Sequence, residues 1–248
     1  MEAGKPGVEP HVVIVGGGFG GLAAAKALAN KPVKVTLIDR SNHHTFQPLL
    51  YQVATAGLSP ADIAAPLRGI LKDGINIVLI VAAATEIDTA QKSICMGEGR
   101  IDYAFLILAA GASNNYFGND QWEPLAPGLK SLEEATEIRR RILVAFEQAE
   151  QARSEEERLR LMTFVIIGGG PTGVEMAGAI AELSSRTLKS DFRRINPQDA
   201  KVHLLEGADR LLSAFDPSLS QRAKEDLERL GVEVHLKTFV KDINPRSV

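Results

Sequence analysis

The chain has 248 residues, 28 Lys and Arg against 31 Asp and Glu, a net charge of -3, 45% hydrophobic residues and 24% charged ones. This is the balance of an ordinary globular protein with enough length for one large domain or two small ones, and it lacks the basic footprint of a nucleic-acid binder. The lone cysteine, Cys95, excludes an internal disulfide framework, a Cys-rich zinc site and any mechanism that needs a redox-active cysteine pair within the chain.

The opening "MEAGKPGVEPH" has no apolar core of the signal-peptide type. The longest apolar run, "YAFLILAAGA" at residues 103–112, is far shorter than the roughly 20 residues that span a bilayer. The chain is therefore not expected to cross a membrane, although it is free to lie on one.

In chain order, "VVIVGG" at residues 12–17 reads as a buried parallel strand. A glycine turn and the helix formers "LAAAKALAN" follow, then a second strand, "KVTLIDR". Together they form a βαβ unit. Gly16, Gly18 and Gly21 stand in G-x-G-x-x-G spacing between strand and helix. The first glycine makes the tight turn, the second lets backbone approach a pyrophosphate, and the third brings helix close to strand. Free amides at the helix start, from Phe19 and Gly20 onward, then favour phosphate. Asp39 closes the second strand eighteen positions after Gly21, near the place where an acid binds a ribose 2′-hydroxyl. A plain strand-end cap is the competing reading for Asp39.

Residues 41–68 have no clean period and read as a structured loop with short helical pieces. "INIVLIVAAATEID" reads as strands, and "KSICMGEGRIDYAFLILAAG" as a hairpin turning at "GEG" followed by a buried strand. Ser131 and Glu134 form a predicted capping box. The helix behind it carries Ile138, Ile142, Phe146 and Ala149 on one face. "SEEE" at Ser154 marks a restart and the expected domain boundary, dividing the chain into residues 1–155 and 156–248.

The second domain repeats the first. "LMTFVIIGG" is a strand, Gly168, Gly170 and Gly173 repeat the turn with Pro171 and Thr172 inside it, and "GVEMAGAIAELSSRTLKSDF" is a helix. "KVHLLEG" is a strand ending at Glu206, a second candidate ribose acid, although at thirty-three positions from Gly173 its spacing is long. A carboxylate there favours NADH over NADPH, with Arg210 nearby as a contrary signal. Asp216 and Pro217 open the next helix, Gly231 stops it, and "VEVHLKTFVKDI" supplies one or two strands. The fold class is thus α/β, with two Rossmann-like dinucleotide-binding domains. Two cradles suit a flavoprotein in which FAD stays bound and NAD(P)H visits.

The stretch "HHTFQPLLYQVATAGLSPADIAAPLR", with "GASNNYFGNDQW", "APGLKSLEEATEIRRRILVAFEQAE", "GGGPTGVEMAGAIAEL" and "LLEGADRLLSAFDPSLS", resembles the type II NADH dehydrogenases, single-subunit NADH:quinone oxidoreductases. The likeness runs from about Val12 onward. It implies that residues 1–155 hold the N-terminal part of an FAD domain and residues 156–248 an incomplete NADH domain inserted into it, in a C-terminally truncated chain. FAD contacts then fall to Gly16, Gly18, Phe19, Gly20, Gly21, Asp39, Arg40 and Ala82. Gln47, Pro48, Leu49 and Leu50 become flavin-ring neighbours. Ala110 and Gly111 match a site usually written Ala-Thr-Gly, here without the hydroxyl. NADH falls to Gly168, Gly170, Pro171, Thr172, Gly173 and Glu206.

Glu175 matches a family glutamate near nicotinamide and flavin, so NADH binding or proton handling is expected of it; charge against the helix dipole is its other reading. The resemblance also implies quinone as acceptor, no proton pumping, and peripheral attachment at the cytoplasmic side of the membrane through a C-terminal region beyond Val248. It is compatible with a homodimer. A ferredoxin-type reductase and a non-catalytic NADH-sensing fragment stand as alternatives. No metal site is expected: His43 and His44 are adjacent but have no further ligand cluster. Arg139, Arg140 and Arg141 read as a solvated, salt-bridged face, and Cys95 as structural.

Overall fold

The computed structural model describes residues 9–248. The chain begins with β1 (His11–Val15), α1 (Phe19–Leu28), β2 (Lys34–Asp39), β3 (His43–Thr45), α2 (Leu50–Ala54) and α3 (Pro60–Ile63). It continues through β4 (Ala64–Pro66), α4 (Leu67–Ile70), β5 (Ile77–Val81), β6 (Glu86–Asp88), β7 (Ser93–Met96), β8 (Gly99–Asp102) and β9 (Phe105–Leu108). Then come α5 (Leu132–Gln151), α6 (Glu155–Leu161), β10 (Thr163–Ile167), α7 (Pro171–Glu182), β11 (Lys201–Leu205), α8 (Pro217–Arg229) and β12 (Val232–His235).

Two compact units result. The first holds residues up to 46 and 61–113, the second 47–60 and 114–248. This partition differs from a single cut at 155/156: α5 and α2 belong to the second unit, where α2 packs on both α5 and α7. The apolar stripe of α5 explains the placement, because Ile142, Phe146 and Ala149 are buried and the Phe146 ring lies 5.5 Å from Phe164 of β10 and 6.0 Å from Phe192. Burying a side chain of that size stabilises by about 3 kcal/mol.

In the first unit four parallel strands run in the order β5-β2-β1-β9. One face is closed by Leu22 and Ala25 of α1 with Leu67 and Leu71, packed on Val12, Ile14, Val35 and Leu37. The other face, Val13, Val15 and Ile38, is closed by Ile94, with Ile87, Met96 and Ile101 beside it. These four come from the antiparallel ladder β6-β7-β8, whose β7–β8 hairpin turns at Gly97 and Glu98 as the sequence predicts. The loop of residues 41–68 contains, besides short helices, a two-stranded ribbon pairing His43 with Pro66. The expected burial of β9 does not hold: Phe105 and Leu108 are 62% and 63% exposed. An edge strand paired only to β1 has neighbours on one side, so its apolar residues are covered by half.

In the second unit three parallel strands run in the order β10-β11-β12. Met176, Ala177, Ile180 and Ala181 of α7 are buried, and the helix ends at Glu182 in a wider π turn over Leu183–Thr187, short of the predicted span. Of the one or two strands expected from "VEVHLKTFVKDI", one forms. No helix among the described residues is long and apolar enough to cross a membrane.

Candidate functional site: two glycine cradles

Each unit builds its cradle the same way. Gly16 and Gly168 end their strands with φ of 104° and 103°, a left-handed conformation that only glycine adopts without strain. A Cβ on Gly21 would collide with the Gly16 carbonyl oxygen, and one on Gly173 with the Gly168 carbonyl oxygen. These two positions therefore fix the close approach of helix to strand. Gly18 and Gly170 are different: a Cβ at either would meet nothing within 4 Å. Their missing side chains leave open space in front of the helix ends.

Those helix ends are uncapped. Neither Gly18 before α1 nor Gly170 before α7 offers a side-chain acceptor to the first turn. By contrast, Ser131 and Glu134 form the predicted capping box on α5, Ser154 caps α6 and Asp216 caps α8. The first-turn amides of α1 and α7 thus keep their hydrogen-bonding capacity and a positive dipole end for an anion.

The two acids are locked into the turns. The Gly17 amide donates to Asp39 Oδ2 at 2.5 Å and the Ser41 amide to Oδ1 at 2.6 Å. The Gly169 amide donates to Glu206 Oε2 at 2.5 Å and the Ala208 amide to Oε1 at 2.6 Å. Each carboxylate is therefore a turn brace as well as a candidate ribose acceptor, because each oxygen keeps a second lone pair. The binding and capping readings of Asp39 are compatible. The thirty-three-position spacing of Glu206 is absorbed by the π turn and the loop before β11, and the acid reaches the same place.

Other predicted residues divide clearly. Ala110 and Gly111 lie at the first cradle, where a Cβ on Gly16 would meet the Ala109 carbonyl and the Ala110 Cα, and Gly111 has φ of 75°. Ala82 donates its amide to the Asp39 carbonyl at 2.8 Å. Arg40 is exposed. Gln47, Pro48, Leu49 and Leu50 fall in the second unit, where Leu50 is buried and the Gln47 side-chain amide donates to the Lys130 carbonyl at 3.2 Å. Pro171 and Thr172 line an open groove of about 1130 Å3 in that unit, together with Gly168, Gly170 and Gly173. Arg210 donates to the Ser213 carbonyl at 2.8 Å. Glu175 is largely exposed, yet desolvation by its surroundings pushes its carboxyl above the usual range. Two of the three arginines form a salt-bridged face, Arg140 and Arg141 each donating to Glu137 at 2.7 Å, whereas half-buried Arg139 donates to the Leu58 carbonyl at 3.2 Å.

Sequence reasoning missed several neighbours. Half-exposed Phe19 is held by edge-on rings of His44 at 5.0 Å and Phe46 at 5.5 Å, and His44 Nδ1 lies 3.1 Å from the Gly17 carbonyl. Only the β3–β4 ribbon, formed by residues with no strand period, brings them there. The groove of the second unit is walled by Tyr116, Phe117 and Trp122. Burial, then the Glu123 and Glu134 carboxylates, hold the Tyr116 hydroxyl in its protonated form above the usual phenol range.

The geometry has close relatives. The chain is 46% identical to the type II NADH:quinone oxidoreductase Ndh of Mycobacterium tuberculosis, over 98% of this chain and 54% of that one. It is 44% identical to NdhA of the same organism, over 100% and 54%. The structure of NDH2 from Plasmodium falciparum in complex with NADH superposes with a TM-score of 0.89 at 27% identity, over 96% of this chain and 50% of that one. The chain thus spans about half the length of the curated relatives it matches. Residues 10–248 match the family model described as pyridine nucleotide-disulphide oxidoreductase. With that match and a doubled glycine cradle, the chain belongs to the pyridine nucleotide-disulphide oxidoreductase family.

Proposed function

We propose that this chain carries the two dinucleotide cradles of a flavin-dependent NADH:quinone oxidoreductase, with FAD on the first and NADH on the second. The observation that carries the reading is the repetition of one arrangement, an uncapped helix start with an open glycine and an acid braced to the turn, in two units of one chain. The 46% identity to a type II NADH:quinone oxidoreductase supports the choice of nucleotide and acceptor.

The first cradle fits FAD. Open space at Gly18 admits a pyrophosphate to the amides of Phe19 and Gly20, and Asp39 offers its free lone pairs to ribose hydroxyls. Ala82, Ala110 and Gly111 present backbone beside it, and Arg40 lies at its rim. Held by these residues, FAD would supply the two-electron chemistry that links NADH to a quinone. In the second cradle Gly170, Pro171 and Thr172 face the NADH pyrophosphate and Glu206 its ribose. A 2′-phosphate would meet the Glu206 carboxylate, so NADH is preferred to NADPH. Desolvation raises the Glu175 carboxyl above its ordinary range, so it keeps its proton to a higher pH than an ordinary glutamate does. Gln47, Pro48, Leu49 and Leu50 are assigned to the flavin ring on the family resemblance alone. The electron transfer pumps no protons, and the enzyme works peripherally at the cytoplasmic face of the membrane.

The test is the visible spectrum of the chain supplemented with FAD, before and after anaerobic NADH. Bound flavin that bleaches with NADH, and less with NADPH, is expected. Bound flavin that stays oxidised while NADH binds would replace the reductase with a nucleotide-sensing module. The same titration on a chain extended beyond Val248 separates a missing segment from a wrong FAD assignment.

A further inference from the structure

His203 lies at the middle of β11, and Glu233 and His235 lie on β12. In the parallel register His203 sits opposite Glu233, and His235 follows two residues on. Alternate residues of a strand share a face, so all three side chains stand on one side of the sheet. His203 Nδ1 is 3.1 Å from His235 Nε2 and 3.5 Å from the Glu233 carboxylate. One donor atom from each of the three falls within 4.8 Å of the others.

From these residues we propose that His203, Glu233 and His235 form a binding site for a borderline transition-metal dication such as Zn2+. Two nitrogens each ~2.0–2.1 Å from a tetrahedral zinc lie roughly 3.3 Å apart, close to the separation found here. Two imidazoles and one carboxylate select zinc, cobalt or nickel over magnesium and calcium, which prefer oxygen cages. A hydrogen-bonded imidazole pair alone explains the His–His contact but not the convergence of a third ligand group on the same nitrogen. Nδ1 has one proton or one lone pair to share, and a metal ion satisfies all three groups at once.

A second observation points the same way. The equivalent positions of the first unit, matched by register from Gly16 and Gly168, are Thr36, Val78 and Ile80. The duplicated sheet thus carries ligand-type side chains at these three places in only one of its copies. The sequence pattern did not reveal this, because His203 and His235 are separated by α8 and meet only through strand pairing. The fourth position of the metal is open to water, as the ligands lie on a partly exposed face.

The test is a titration of the tag-free chain with Co2+, followed by its visible absorption and by displacement with Zn2+. One equivalent with tetrahedral-type bands is expected, and His203→Thr and His235→Gln should each weaken it by roughly a hundredfold or more, at least the upper end of what losing an outer-shell partner costs. Circular dichroism shows whether the variants fold. Independently of any variant, Zn2+ should shift the imidazole NMR signals of His203 and His235 and leave those of His11, His43 and His44 in place. No bands, bands that survive both substitutions in folded protein, or shifts at the other histidines would overturn the site.

Discussion

The two units repeat one βαβ design position for position: β1, β2 and β5 correspond to β10, β11 and β12, Gly16 to Gly168, and Asp39 to Glu206. They differ on one face of the sheet. Val13 and Val15 are 0% and 9% exposed beneath the β6-β7-β8 ladder, whereas their counterparts Val165 and Ile167 are 40% and 45% exposed. Among the described residues no antiparallel ladder covers that second face. Yet the turns agree within a degree in the φ of the first glycine, and both acid braces measure 2.5 Å. The cradle is therefore a local construction, set by sterics and one carboxylate. Burial of the sheet is a separate matter, decided by a distant segment.

The sharpest way to break this equivalence is at the third glycines. Gly21→Ala and Gly173→Ala each force a methyl against a backbone carbonyl oxygen that cannot swing away. Each should cost about 3 kcal/mol, the upper end of overpacking, as read by urea denaturation. Gly18→Ala and Gly170→Ala should leave stability within about 0.5 kcal/mol, since nothing lies within 4 Å of the added methyl. Their effect should fall on nucleotide: Gly18→Ala on FAD retention and Gly170→Ala on NADH affinity, each measured by fluorescence titration. Equal losses of stability at all four glycines would show that the second glycine is structural too.

The faces offer the opposite test. Val13→Ala should cost about 2 kcal/mol, because it opens a cavity under Ile94. Val165→Ala should cost less than about 1 kcal/mol, because water already reaches the site. Matching losses in thermal unfolding would mean that the second face is covered in solution.

What the sequence reveals follows the same division. Gly16, Gly18, Gly21 and Asp39 are readable because their spacing alone encodes the turn, and the caps at Ser131, Ser154 and Asp216 are readable because a cap is a contact across two or three residues. The transfer of α2 and α5 to the second unit is not readable, since it depends on Phe146 meeting Phe164 and Phe192. Nor is the ring of His44 and Phe46 around Phe19, which a ribbon without strand period delivers. The exposure of β9 is unreadable for a related reason: an apolar run looks the same at the centre of a sheet and at its edge.

The acid braces should show a smaller and equal effect. Asp39→Asn and Glu206→Gln keep the shape but replace a charge-assisted acceptor of two amides with a neutral group that turns a donor toward one of them. A loss of about 1.5 kcal/mol in each is expected by denaturation. Only Glu206→Gln should also raise the affinity for NADPH relative to NADH, by removing the carboxylate that repels a 2′-phosphate. A shift in that ratio from Asp39→Asn would reverse the assignment of the two cradles.

The smallest effect concerns a place where the repeats diverge, Glu175 in α7 against Ala23 in α1. Desolvation raises the folded-state pKa of Glu175 above its ordinary 4.5. Below that ordinary value the group is protonated in both folded and unfolded chains and has no effect on stability. As pH rises past it, the unfolded chain ionises first, so the folded state loses stability until its own carboxyl ionises as well. The isosteric Glu175→Gln substitution removes this penalty. It should make the chain slightly more stable at neutral pH and leave it unchanged at pH values below the ordinary glutamate range, as measured by thermal unfolding across a pH series. A gain that persists at low pH would trace to helix packing rather than to charge, and the second cradle would then match the first in electrostatics as well as in geometry.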